Sequence, residues 1–234
     1  MVECSSRKTP IRKGRHILTW VKGLLGYVPM YVALQRGLGA DRLRYRCLDE
    51  LALKDGDCVL DVGCGPAYYF ERLPKVQYFG FDTAPRYIDY ARKRWGDRAE
   101  FRCEIFGEEH LAQLPPVDAV LLLGLLHHMS DDDSRVLLDL VARALAPGGR
   151  VISVDTCFEP SQGRISRWMS ENDRGEHVRQ PDGFVTLARE SFDTVDGDVL
   201  SGVTRVPSSF WMMRMSAPKV AAPRPVGEGA GQSA

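Results

Sequence analysis

A short apolar strand that runs straight into a glycine turn limits the possible folds of this chain more than any other feature. Cys58-Val59-Leu60-Asp61-Val62 is followed at once by Gly63-Cys64-Gly65-Pro66. Glycines at such a turn let the backbone approach a ligand that larger side chains would exclude. Tyr68 occupies the sixth position of a GxGxxG count and departs from the dinucleotide fingerprint. Asp61 precedes the turn, where a carboxylate would repel a pyrophosphate and suit a cationic ligand instead. A second strand ends Phe79-Gly80-Phe81-Asp82. Asp82 follows the turn at roughly the 20-residue spacing expected of an acid that bonds ribose hydroxyls.

The rest of the chain continues the alternation. Helices are expected over Pro66–Leu73, over Pro85–Trp95 with proline in its first turn, and over Ser134–Ala146, closed by Pro147-Gly148-Gly149. Strands are expected over Val76–Phe81, Ala99–Cys103, Val117–Leu123 and Val151–Val154, with a final antiparallel pair over Glu190–Val199 and Val206–Met215. Strands alternating with helices imply a parallel α/β sheet. The near-continuous apolar run Val117–Leu126 suits a central strand covered on both faces. The 234 residues fit one such domain. Residues 1–15 read as a flexible basic arm and 16–52 as a helical cap. Residues 156–183 read as a helical insertion after the fifth strand, and 217–234 as a Pro/Gly/Ala-rich disordered tail.

The string VLDVGCGPAYY resembles motif I of the class I S-adenosylmethionine (SAM)-dependent methyltransferases, and GFDTAPRYIDYAR resembles their second motif. VDAVLLLGLLHHM and LLDLVARALAPGGRVISVD are similar to the later motifs of the small-molecule branch, which includes quinone and natural-product methyltransferases. The resemblance runs over about residues 40–156. It implies a Rossmann-like seven-stranded sheet of order 3-2-1-4-5-7-6 with strand 7 antiparallel and helices on both faces. It implies SAM as cofactor, with S-adenosylhomocysteine as product. Asp61, Gly63, Cys64 and Gly65 match the SAM loop, Asp82 with Thr83 beside it the ribose acid, and Gly124 with Leu125 the segment passing the methionyl end. Where the family often has an acid for the adenine amino group, Ile105 holds the slot. Glu104 next to it, or backbone groups around Phe106, are the substitutes.

Methyl transfer has to align nucleophile, methyl and sulfur, and a hydroxyl acceptor needs a base. His127 and His128 follow the fourth strand, where an imidazole can take a proton near neutrality. Either serves, with His127 the first choice, and O-methylation is favoured over C- or N-methylation. Asp155 and Glu159, after the fifth strand, would orient substrate or histidine. Tyr27 and Tyr31 belong to the cap that covers the substrate in this family. Arg174 and Arg179 are candidates to grip an anionic group on the acceptor. A SAM-binding protein that does not methylate is the alternative from a different class.

Formal net charge is zero, and no Asn/Asp-Pro-Pro-Tyr segment follows the fourth strand, which argues against a nucleic-acid substrate. The first 46 residues carry ten Lys or Arg against Glu3 and Asp41, leaving membrane association of residues 7–34 as a minor expectation. The six cysteines form no CxxC pair and no metal-ligand spacing with the histidines, so no metal is expected. Cys58 and Cys103 read as buried free thiols in a reducing, cytoplasmic setting. A monomer or homodimer acting on a small molecule is expected.

Overall fold

A computed structural model describes residues 27–219 except Arg174. The basic arm, residues 16–26 of the cap and residues 220–234 of the tail lie outside the described residues. Two helices, α1 (Val28–Leu38) and α2 (Ala40–Leu51), open the described chain, joined at Gly39. The alternating part follows as β1 (Cys58–Val62), β2 (Gln77–Phe81), α3 (Pro85–Trp95), β3 (Glu100–Arg102), α4 (Glu108–Leu111), β4 (Val117–Leu123), α5 (Asp131–Ala144) and β5 (Leu145–Thr156). Then come α6 (Arg164–Glu171), α7 (Pro181–Ser191), β6 (Phe192–Ser201) and β7 (Ser209–Pro218).

The seven strands form one sheet in the order β3-β2-β1-β4-β5-β7-β6. β1 to β5 pair in parallel, and β7 runs antiparallel between β5 and β6. This is the order and strand direction expected. Successive residues along each strand point to opposite faces, and the core divides accordingly. Leu60, Phe79, Phe81, Val120 and Leu122 pack on one face with α5 and α7. Val59, Tyr78, Leu121, Leu123 and Ile152 pack on the other with α1, α2 and α3. Ser130 starts α5 by accepting the Asp133 N–H at 3.1 Å, and Asp131, Asp132 and Asp133 complement the positive end of its dipole.

Five local expectations fail. Residues 66–73 form no α-helix, only a single 3-10 turn over Phe70–Arg72. Tyr68, Tyr69 and Phe70 are all buried, and three successive aromatics cannot share one stripe of a surface helix. Pro147-Gly148-Gly149 does not close α5. The helix ends at Ala144, and these residues lie inside β5 where its register with β4 shifts between Val117 and Ala119. The insertion is helical only over α6, and α7 begins before its expected end. Ala217 and Pro218 finish β7 and do not start the tail, and Cys103 is exposed at the end of the short β3, unlike buried Cys58.

Candidate functional site

The C-terminal ends of β1, β2, β4 and β5 open into a cleft, as parallel sheets of this kind do. Its first wall is the turn after β1. Gly63 and Cys64 donate their N–H groups to the Phe81 carbonyl at 2.8 and 3.0 Å, and Gly65 donates to Asp82 Oδ2 at 2.9 Å. The other carboxylate oxygen of Asp82 accepts the Ala84 N–H at 2.8 Å. Asp82 is therefore fixed by two backbone donors while it faces the cleft, and each oxygen keeps acceptor capacity. Gly63 needs its glycine: φ is +76°, and a Cβ would stand 3.1 Å from Leu125 Cδ1.

Asp61 does not reach the cleft. Its carboxylate is fully buried beneath the turn, where Oδ2 accepts the hydroxyls of Tyr69 at 2.6 Å and Tyr78 at 2.5 Å. Burial pushes its acid up to about 7, against the opposing pull of the two tyrosine hydrogen bonds. Asp61, expected among the residues that meet the cofactor, is instead buried and holds the two tyrosines.

The cleft has two lobes. The larger, about 670 Å³, lies between the turn, α1, α2, α6 and residues 204–210. The smaller, about 480 Å³, is lined by Thr83, Glu104, Ile105, Phe106 and the N-terminal half of α5. Gly63, Asp82, Leu125 and His128 border both. Both volumes lie in the range of small-molecule sites. Phe106 is a core residue that packs edge-on against Phe81, while Ile105 is exposed at the lip. Glu104 is held by buried His110, 3.3 Å from Nε2, and His110 Nδ1 accepts the Gly107 N–H.

Arg44, which drew no attention in the sequence, stands in the larger lobe with its guanidinium 5.2 Å above the Tyr68 ring. The buried Tyr68 hydroxyl beside it has no hydrogen-bond partner within the described protein. A signal did exist. Positions 40, 44, 47, 48 and 51 share one face of α2, so Arg44 sits in the stripe that Cys47, Leu48 and Leu51 bury.

The two histidines differ. His127 is buried, its Nδ1 is 2.8 Å from Asp155 Oδ1, and its Nε2 faces Asp173 at 3.4 Å. Burial opposes a charge there, but the bonds to Asp155 and Asp173 prevail and lift its pKa to about 9. Asp173 is pushed up by burial but held below the usual carboxylate range by His127 and by the Gly175 N–H. The Asp155 and Asp173 carboxylates favour the charged form of His127. His128, whose ring centre is 4.1 Å from that of His127, is the imidazole exposed at the junction of the lobes.

Among the expected acceptor residues, Tyr31 lines the larger lobe with its ring 5.4 Å from Tyr87. Tyr27 is 66 % exposed at the start of α1, outside the cleft. Asp155 is buried and serves His127, and Glu159 is bonded to Ser201 and Ser209. Arg179 is not an anion receptor. Its guanidinium is occupied by Asp131 and by the carbonyls of Leu126, Met129 and His177, which pins the 172–179 loop to the histidine turn. Arg174 lies outside the described residues. Asp173, Tyr87 and Trp168 also line the cleft and were not singled out in the sequence. Among the described residues no cluster of His, Cys, Asp or Glu could hold a metal, and no helix is long and apolar enough to cross a membrane.

Residues 59–149 match the family model described as the methyltransferase domain. An uncharacterized methyltransferase of Geobacillus kaustophilus is 27% identical over 158 residues, covering 64% of this chain and 69% of that one. O-methyltransferase 16 of Lophophora williamsii is 28% identical over 166 residues, 66% of this chain but only 42% of the relative. Among solved structures, the [4+2]-cyclase SpnF superposes with a TM-score of 0.59 at 17% identity, covering 76% of this chain and 82% of that one, a likeness of fold alone. The domain match runs from β1 into β5, along the elements that frame the cleft, and the sheet has the strand order of the Rossmann-like methyltransferase fold.

Proposed function

We propose that the chain transfers the methyl group of SAM to a hydroxyl oxygen of a small-molecule acceptor, with His128 as base. The residues present fit the cofactor. Asp82, held by two backbone donors and shared by both lobes, would take the ribose hydroxyls. Arg44 would pair with the amino-acid carboxylate, where the lone Tyr68 hydroxyl supplies a further donor. The smaller lobe, with Ile105 and Leu125 at its lips, would seat the base, and Glu104 would receive its amino group. Bound there, SAM supplies a methyl carbon made electrophilic by the sulfonium.

The observation that carries the reading is the position of His128 where the lobes meet. An acceptor hydroxyl in the larger lobe gives its proton to this imidazole as its oxygen bonds the methyl carbon. His127, buried with Asp155 and Asp173 on its two ring nitrogens, would hold the turn that presents its neighbour. The O-methyltransferase name of the Lophophora relative agrees with an oxygen acceptor, and the chain covers less than half of that protein.

Conversion of SAM to S-adenosylhomocysteine over a panel of phenols and hydroxylated ring compounds tests the assignment, with the product's methyl located by NMR. His128→Ala is expected to lower kcat about 100-fold or more with little change in KM for SAM, in line with the loss of a general base. A methyl found on carbon, or His128→Ala with unaltered kcat, removes the oxygen-and-base reading.

A further inference from the structure

Helix α6 is built the wrong way round for a surface helix. Its buried residues are Ser166 and Ser170, while Ile165 and Trp168 are 64 % and 62 % exposed. A helix on a soluble domain ordinarily turns its apolar stripe inward. Here the inward face rests on a polar bed. Gln162 Nε2 donates to Ser166 Oγ at 3.0 Å and to Ser170 Oγ at 2.8 Å, and Ser170 donates to the Cys157 carbonyl at 3.2 Å. These bonds fix which face looks out. Opposite, α1 carries a second outward apolar pair, Met30 and Leu34, 43 % and 42 % exposed. Trp168 and Leu34 both line the larger lobe, so each stripe begins in the cleft and continues outside it.

Charge sets the character of what lies between them. The charged or titratable side chains that line the larger lobe are Arg44, Asp82, Asp173 and the two histidines, among the described residues other than tyrosine and cysteine. Each belongs to the glycine turn, its Tyr68 neighbour or the histidine cluster. The mouth offers Leu34, Leu38, Trp168, Met169 and Val206, with Gln35 and Asn172 as uncharged polar groups. We infer that the acceptor is an elongated molecule with a long apolar part, longer than the cleft. Its reacting hydroxyl lies at His128, and its hydrocarbon leaves between α1 and α6 to rest on Leu34 and Trp168. This rests on the functional reading above and adds the substrate class to it.

A series of 4-n-alkylphenols from ethyl to octyl, titrated calorimetrically into protein with S-adenosylhomocysteine present, tests the inference. Wild-type affinity is expected to rise about fourfold per added methylene, as burial of a CH₂ predicts, once the chain reaches the mouth. In Trp168→Ser and Leu34→Ser the shortest members bind as in the wild type and the rise stops for the longest. Both substitutions are at exposed positions, and the melting temperature should be unchanged. Affinity independent of chain length, or an identical rise in both variants, overturns the inference. A lower melting temperature with an unaltered rise also overturns it and assigns the stripes to a partner within the chain itself. Loss of phosphatidylcholine-vesicle binding in the variants with an unaltered rise overturns it in favour of a membrane. Uptake of S-adenosylhomocysteine is measured separately, so a chain that takes the alkylphenols but not this nucleotide fails the functional reading and not this one.

Discussion

The wall of the cleft proposed to hold the nucleotide presents backbone and one doubly held carboxylate, whereas the wall proposed to hold the acceptor presents side chains standing on helices. The first is made by strands buried on both faces, and its turn is tied to β2 through Gly63, Cys64 and Gly65. The second is made by α1, by α6 on its serine bed and by the loop that Arg179 pins. The difference is one of tolerance. A turn fixed by three backbone N–H groups, two on the Phe81 carbonyl and one on the Asp82 carboxylate, accepts few changes. A wall of exposed side chains can be altered for a different acceptor without disturbing the sheet.

Asp82 is where the nucleotide wall breaks most severely. Asp82→Ala removes the two oxygens proposed to accept from the ribose and frees the Gly65 and Ala84 N–H groups. Charge-assisted hydrogen bonds of about 1.5–3 kcal/mol each give an expected loss of S-adenosylhomocysteine affinity on the order of 100-fold or more. Calorimetry reads it directly, and an affinity within threefold of the wild type would place the ribose elsewhere.

The histidine turn joins the walls, and pH probes it. His127 has its pKa raised to about 9 by Asp155 and Asp173 from an ordinary 6.5, so its stabilising contribution is complete below pH 6.5. That contribution is lost as pH rises through about 9, and its full size is up to about 3 kcal/mol. The melting temperature should fall over this window in the wild type, and the fall should be much smaller in His127→Gln. Equal slopes in the two proteins would show that the bonds to Asp155 and Asp173 do not hold a charge.

The strand, the glycine turn and the placement of Asp82 were largely legible in the sequence because their requirements are local. The β1 run, the glycines and Asp82 lie within one βαβ unit, and their spacing alone carries the reading. The acceptor wall depends on contacts between distant segments. Nothing near Asp173 announces that it will meet His127, and nothing near Arg179 says that its donors are taken by the carbonyls of Leu126 and Met129. Arg44 and α6 are intermediate. Their helical spacing was visible, but an arginine within an apolar stripe and a helix that buries its serines contradict the usual rule, and only the fold shows which side is inward.

Asp61 separates the two kinds of carboxylate within the nucleotide wall itself, and the effect expected there is the smallest. With its acid pushed up to about 7, roughly half of the molecules hold it neutral at that pH, and asparagine is close in shape to the neutral form. Asp61→Asn should therefore change S-adenosylhomocysteine affinity by no more than about fivefold, near 1 kcal/mol. Stability supplies the sign. A raised acid contributes stability fully below its ordinary 3.8 and loses it as pH rises through about 7. The variant should therefore gain in melting temperature relative to the wild type as pH climbs from about 4 to about 7 and keep that gain above it, because it no longer buries an ionised carboxylate beside Tyr69 and Tyr78. A loss of affinity comparable to that of Asp82→Ala would instead mean that the Asp61 charge acts on the ligand through the turn, and that both acids belong to the nucleotide wall.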